Sequence, residues 1–130
     1  MTKDIRFIDT EHAPKAIGPY SQAIAAGPYL FISGQIPIDP RVGKITTSTI
    51  EEQTKQVLNN IQAILAAENL SIIDVVKTDV FLKDLEDFSE MNAVYAECFS
   101  HATKPARVTI QAAKLPMDCR VEISCIAYRG

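Results

Sequence analysis

The sequence lacks the features that mark secreted, membrane-spanning or nucleic-acid-gripping proteins. No apolar run is long enough to cross a bilayer, and Met1-Thr2-Lys3-Asp4-Ile5-Arg6 contains no apolar signal core. A cytoplasmic location without membrane anchorage is expected. Positive charge is not in excess: 13 Lys and Arg stand against 16 Asp and Glu, a formal net charge of -3. Domains that live by holding phosphates usually carry a basic surplus, so nucleic acid is a poor partner. Cysteine is scarce and odd in number. Cys98, Cys119 and Cys125 fit no zinc spacing, and the last two fall in or near one strand, a poor place for a local disulfide. Reduced, largely buried thiols are expected. His12 and His101 are far apart and have no metal-ligand partners at useful spacing, so both read as loop or surface residues and no metal is expected. No Ser/His/Asp or Cys/His set stands out. No glycine-rich run leads into a helix as a phosphate loop would. No repeat, low-complexity tract or linker divides the chain. With 130 residues, 47% of them hydrophobic, residues 1–130 read as one domain large enough to bury a core.

What is present alternates between strands and two helices. Ile5–Ile8 reads as a short strand, and residues 12–20, with two prolines and a glycine, as an ordered loop. Residues 21–26 and 29–35 read as strands joined by a turn at Gly27-Pro28. Residues 36–43 form a second turn-rich loop. Thr49 with Glu52 fits a capping box, with Ser48 and Glu51 as the alternative register. Val57, Leu58, Ile61, Ile64 and Leu65 then recur at helical spacing, and Asn69 suits a left-handed C-cap. Residues 75–82 are a β-branched strand, so a strand–helix–strand crossover is expected. A second helix begins after Asp84, with Phe88, Met91, Tyr95, Cys98 and Phe99 as its stripe. Strands at 107–112 and 119–128 complete the chain around a turn at 115–118. The expected fold is α+β: one mixed sheet of six strands with two helices on one face. The strands at 75–82 and 119–128 carry apolar residues on both faces. Val76, Val80 and Leu82 oppose Val75 and Phe81; Val121, Ile123 and Cys125 oppose Ile126 and Tyr128. The face without helices therefore wants a cover, and self-association is the simplest.

Several residues could carry chemistry. Arg107 opens an apolar strand; its fork matches a carboxylate and stays charged when buried, although a surface ion pair is the plainer alternative. Glu122 lies in a β-rich run, either facing solvent by alternation or acting as a general acid/base on water. Asn92 shares the apolar side of the second helix and, if buried, needs hydrogen-bond partners. Gly18-Pro19-Tyr20-Ser21-Gln22 offers a phenol on a stiffened loop. Ile32-Ser33-Gly34-Gln35-Ile36-Pro37 ends a strand with a hydroxyl and accessible backbone.

These segments, taken together, resemble the RidA/YjgF/translation-initiation-inhibitor-like family. The likeness runs through residues 13–22, 32–37, Val76-Lys77-Thr78, residues 83–88, Met91-Asn92, Pro105-Ala106-Arg107 and Leu115-Pro116 to Val121-Glu122-Ile123. It implies a chorismate-mutase-like fold and a homotrimer whose sheets form an inner barrel, with ligand clefts between subunits. It implies hydrolysis of enamines and imines such as 2-aminoacrylate and 2-aminocrotonate to keto acids and ammonia, without cofactor or metal. By the same likeness Arg107 would bind the substrate carboxylate and Glu122 activate water. Tyr20, Ser33 and Asn92 would orient the reactants, the backbone of Gly34 and Thr109 would hold ligand, and Phe88 and Ile36 would wall the cleft. Several bacterial relatives carry Cys where Thr109 stands, and others Ala, so a thiol is not required and a redox switch at this position is absent. The alternatives are a non-catalytic keto-acid or amino-acid sensor on the same fold and an RNA-directed or chaperone-like role, which the acidic balance disfavours.

Overall fold

The computed structural model describes residues 3–130; Met1 and Thr2, part of the N-terminal segment considered above, lie outside the described residues. Strands β1 (Ile5–Ile8), β2 (Ala23–Ala26) and β3 (Tyr29–Gln35) form an antiparallel meander. Ala26 pairs with Tyr29, leaving Gly27-Pro28 as a two-residue hairpin loop. Such a loop needs positive φ at its first position, and Gly27 supplies it at 58°.

Helix α1 (Ile50–Ala67) starts at Thr49, whose hydroxyl accepts from the Glu52 amide at 3.1 Å, while the Glu52 carboxylate accepts from the Thr49 amide at 3.3 Å. The Thr49/Glu52 register therefore wins over Ser48/Glu51. The helix stops where Asn69 turns left-handed (φ 57°) and the Leu70 amide reaches back to the Leu65 carbonyl at 2.9 Å. Its buried side includes Val57, Leu58, Ile61, Ile64 and Leu65, the helical repeat seen in the sequence.

Strand β6 (Val75–Leu82) follows. A 3-10 turn at Leu85–Asp87, capped by the Asp84 carboxylate on the Glu86 amide, leads into α2 (Phe88–Cys98). Strand β7 (Ala106–Gln111) pairs parallel to β6, and β8 (Val121–Tyr128) inserts antiparallel between β3 and β6. Among the described residues the main sheet has six strands in the order β1-β2-β3-β8-β6-β7. No helix among them is long and apolar enough to cross a membrane.

Two expectations need correction. The segment read as a plain loop at 36–43 begins a small hairpin, β4 (Ile38–Asp39) against β5 (Lys44–Ile45). Two-residue strands leave no periodicity to read. Val76 does not share a face with Val80 and Leu82. A register shift between Val75 and Lys77 places Val75 in the core and leaves Val76 exposed.

Both helices cover one face of the sheet. There Leu30, Ile32, Val80, Leu82, Val121 and Ile123 pack with Leu65, Ile61 and Met91 in one cluster. The other face carries Phe7, Tyr29, Phe31, Val108, Ile110 and Tyr128, all exposed.

Candidate functional site

Register decides what can meet. Across the β6–β7 pair, Arg107 lies opposite Thr78 and Thr109 opposite Val80. Thr78 and Val80 are fully buried under the helices, so Arg107 and Thr109 point to the helix side. There the Arg107 guanidinium donates to the Asn92 side-chain carbonyl at 2.7 Å. It lies over the Tyr95 ring at 4.7 Å and the Phe88 ring at 5.5 Å, a geometry in which the ring faces attract the cation. Tyr95 is fixed in turn by a buried 2.7 Å hydrogen bond between its hydroxyl and that of Thr78. Burial pushes the Tyr95 phenol up, so it stays neutral beneath the cation. Among the described residues Arg107 makes no ion pair. An open cleft of ≈ 430 Å³ beside it is lined by Asn92, Tyr95, Phe99, Lys104 and Pro105. The Thr109 hydroxyl is buried with no hydrogen-bond partner among the described residues.

Glu122 is on the other side. It lies opposite Phe81 in β6, one residue out of phase with buried Val121 and Ile123. On β3, Ile32 pairs with Cys125 and Gln35 with Ile123, so Ser33 and Gly34 together face the single residue Ser124. This bulge brings the strand backbone at Gly34 against the Glu122 carboxylate. Glu122 is half-buried and has neither hydrogen bond nor ion pair among the described residues. Burial pushes its carboxyl up from the ordinary range. The Ser33 hydroxyl donates to the Ser21 carbonyl at 2.6 Å and so ties the bulge to the Tyr20 loop. Tyr20 is exposed, accepts from the Ile17 amide at 3.4 Å, and borders a cleft of ≈ 510 Å³ with Phe7, Lys15 and Gln22. Ile36, just past the bulge, is half-buried, and its carbonyl accepts from the buried Asn60 amide at 3.2 Å.

The structure thus gathers the sequence candidates into two groups. Arg107, Asn92, Phe88 and Thr109 form one, on the helix side. Glu122, Gly34, Ser33 and Tyr20 form the other, around the β3 bulge, with Ile36 beyond it. Within one copy Arg107 and Glu122 project from opposite faces of the sheet. Sequence reasoning assigned Tyr95 to the apolar stripe and missed that it carries Arg107. The available signal was its position three residues after Asn92 on the same helical stripe, with a hydroxyl that burial obliges to find a partner. His12 is exposed as expected. His101 lies in a loop, but its Nε2 is buried and its ring sits 6.3 Å from Phe99. Among the described residues no cluster of three or more potential ligands could hold a metal. The three thiols are free, and burial pushes Cys119 up to about 11 and Cys125 to about 12.

The family model described as Endoribonuclease L-PSP matches residues 10–129. A RutC family protein of Pyrococcus horikoshii is 57% identical over 94% of this chain and 96% of its own length. A 2-iminobutanoate/2-iminopropanoate deaminase of Salmonella typhimurium is 46% identical over 94% of this chain and 96% of its own. The crystal structure of E. coli TdcF with bound serine superposes with a TM-score of 0.92 at 42% identity, covering 96% of this chain and 99% of that one.

Proposed function

The chain belongs to the Endoribonuclease L-PSP family, that of the YjgF/RidA proteins, and on that premise we propose that it hydrolyses small 2-imino acids, with their enamine tautomers, to 2-keto acids and ammonia. Substrates of the 2-iminopropanoate and 2-iminobutanoate class suit the site. The observation that carries this reading is the Arg107 guanidinium, held in place by Asn92 and two aromatic rings yet left without an acid of its own. A cation so placed accepts a ligand carboxylate in two-pronged fashion. The serine bound in E. coli TdcF is a small amino acid with such a carboxylate.

With the carboxylate on Arg107, the imine carbon is fixed in space, and orientation of this kind lowers barriers by several kcal/mol, as an order of magnitude. Glu122 takes a proton from water as its oxygen bonds to the imine carbon. Raised by burial, the same carboxyl can return that proton to nitrogen as the C=N π pair moves there. The carbinolamine hydroxyl then gives up its proton, which the carboxyl passes to nitrogen as C=O forms, the C–N bond breaks, and ammonia leaves behind a keto acid. Tyr20, Ser33 and Asn92 orient substrate and water, the Gly34 and Thr109 backbones hold the ligand, and Phe88 and Ile36 wall the cleft. Because Arg107 and Glu122 project from opposite faces of one sheet, a site that uses both draws them from two copies. A homotrimer built on the exposed apolar face would supply such inter-subunit clefts.

The test is a coupled assay in which a serine or threonine dehydratase generates the enamine and semicarbazide competes for the imine. The protein should speed keto-acid release and reduce semicarbazone. Arg107→Ala should abolish that effect while folding normally, and Arg107→Lys should lose most of it, since a point charge cannot reproduce the fork. Normal activity in Arg107→Ala would overturn the assignment. A ligand sensor would keep the Arg107 seat but gain nothing from an unpartnered, half-buried carboxyl at Glu122. Binding of 2-ketobutyrate without turnover would favour the sensor.

A further inference from the structure

Gly34 has no conformational need to be glycine. Gly27 and Gly43 have φ of 58° and 74°, in the region that side chains avoid, but Gly34 is not among the positive-φ residues. What stands against a side chain there is Glu122. A Cβ at position 34 would overlap Glu122 Oε2 outright and would meet its carboxylate carbon at 3.0 Å and its Cγ at 3.2 Å. The Glu122 side chain therefore lies across bare backbone at the β3 bulge, with Phe81 of β6 on its other flank. No hydrogen bond or ion pair among the described residues anchors the carboxylate. Its position in the subunit is a matter of shape.

The obstacle is also the far end of a flexible side chain, not backbone. A methyl at 34 would be accommodated by Glu122 swinging aside, so the fold can survive a change that the carboxylate's position cannot. We infer that Gly34 is a positioning residue: its missing side chain is the seat that fixes where the Glu122 carboxylate stands relative to the reacting carbon. This rests on Glu122 being the acid/base group of the proposed reaction.

A kinetic cycle tests it with four variants: Gly34→Ala, Glu122→Asp, the two together, and Glu122→Gln. Gly34→Ala should lower kcat at least about tenfold with KM within about twofold, because displacing a reacting group by an ångström costs up to about 10²-fold and Arg107 is untouched. Aspartate is one methylene shorter and puts no atom where Oε2 stands, so the outright overlap is gone and only contacts like those of the Glu122 carboxylate carbon and Cγ, at 3.0 and 3.2 Å, remain for a slight shift to relieve. In the Glu122→Asp background, itself slower than wild type, Gly34→Ala should therefore cost less than about twofold. A glycine needed only for folding or ligand contact would cost the same in both backgrounds. Equal losses in the two backgrounds, or unchanged kcat in Gly34→Ala, would overturn the inference. Glu122→Gln separates the two readings. If it is inactive while Gly34→Ala is normal, only the positioning role fails; if it is fully active, the acid/base role of Glu122 fails and the inference goes with it. Should Gly34→Ala fold poorly, thermal midpoints decide: the double variant should regain most of the lost midpoint, and no regain would refute the steric conflict.

Discussion

Glu68 and Glu122 are both largely screened from water, and the fold treats them in opposite ways. At the corner where α1 ends, Glu68 accepts from Arg6 at 2.5 and 3.0 Å and from Arg129 at 2.9 Å. The Arg6 hydrogen bonds, with its charge and that of Arg129, hold the carboxyl below its ordinary range. Around the β3 bulge, Glu122 has no partner, and burial pushes its carboxyl up. A chain that can satisfy one carboxylate with two guanidinia leaves the other unsatisfied beside a cleft-lining loop. Unsatisfied titratable groups of this kind cluster where protons must move. The corner holds the fold together, whereas the bulge holds the carboxyl that the proposed reaction would use.

The sharpest way to break the contrast is to neutralise each acid. Glu122→Gln should lower turnover by about 10²- to 10⁴-fold without lowering the thermal midpoint. A stable variant with normal turnover would place Glu122 with the structural acids. Glu68→Gln should leave turnover unchanged and cost about 1 kcal/mol of stability in a urea titration. The figure is kept small because Arg6 and Arg129 are substantially exposed to solvent. The pH dependence of these stability differences follows with opposite signs. The raised Glu122 carboxyl destabilises the folded state at neutral pH. Stability from this group is fully present below the ordinary value of 4.5 and lost as pH rises through the raised one. Glu122→Gln should thus be the more stable protein at pH 7, with the gap closing on acidification before pH 4.5 is passed. The lowered Glu68 carboxyl contributes stability that is present above 4.5 and lost as pH falls through its lowered value. Glu68→Gln should be the less stable protein at pH 7, with its gap closing only below 4.5. Urea titrations at stepped pH read both windows, and a Glu122 gap that closed only below 4.5 would contradict its raised carboxyl. The smallest effect is that of salt. Raising it to about 1 M, where screening acts over about 3 Å, should narrow the Glu68→Gln gap by a few tenths of a kcal/mol and leave the Glu122→Gln gap nearly unchanged.

Much of the fold was legible because its signals are local. Thr49 and Glu52 cap α1 through contacts three residues apart, Asn69 ends it by its own backbone, and strands β1, β3 and β6 have the bounds their residue types suggest. Val76 was misplaced because alternation assumes an unbroken ladder, and one register shift inverts every face beyond it. The candidate residues could be named from the sequence, but their grouping could not. That Arg107 turns toward α2 while Glu122 turns away depends on how β7, β6 and β8 align, and those pairings join residues far apart in the chain. The contact between Gly34 and Glu122 spans most of the sequence and leaves no local trace. Tyr95 was visible only as part of a stripe, because a ring that packs in a core and a ring that carries a cation occupy the same helical positions.

The strand order has a consequence for how the protein is made. β8 is the last of the six strands to be synthesised, yet it lies between β3 and β6, and it alone joins the β1–β3 meander to the β6–β7 pair. Until it leaves the ribosome, the nascent chain holds two half-sheets, each with an unpaired edge beside apolar side chains. Such edges invite pairing with other chains. The sheet therefore closes in one late step, when the strand bearing Glu122 slides between the halves. Any stop codon that removes β8 should yield an aggregating fragment rather than a smaller folded protein.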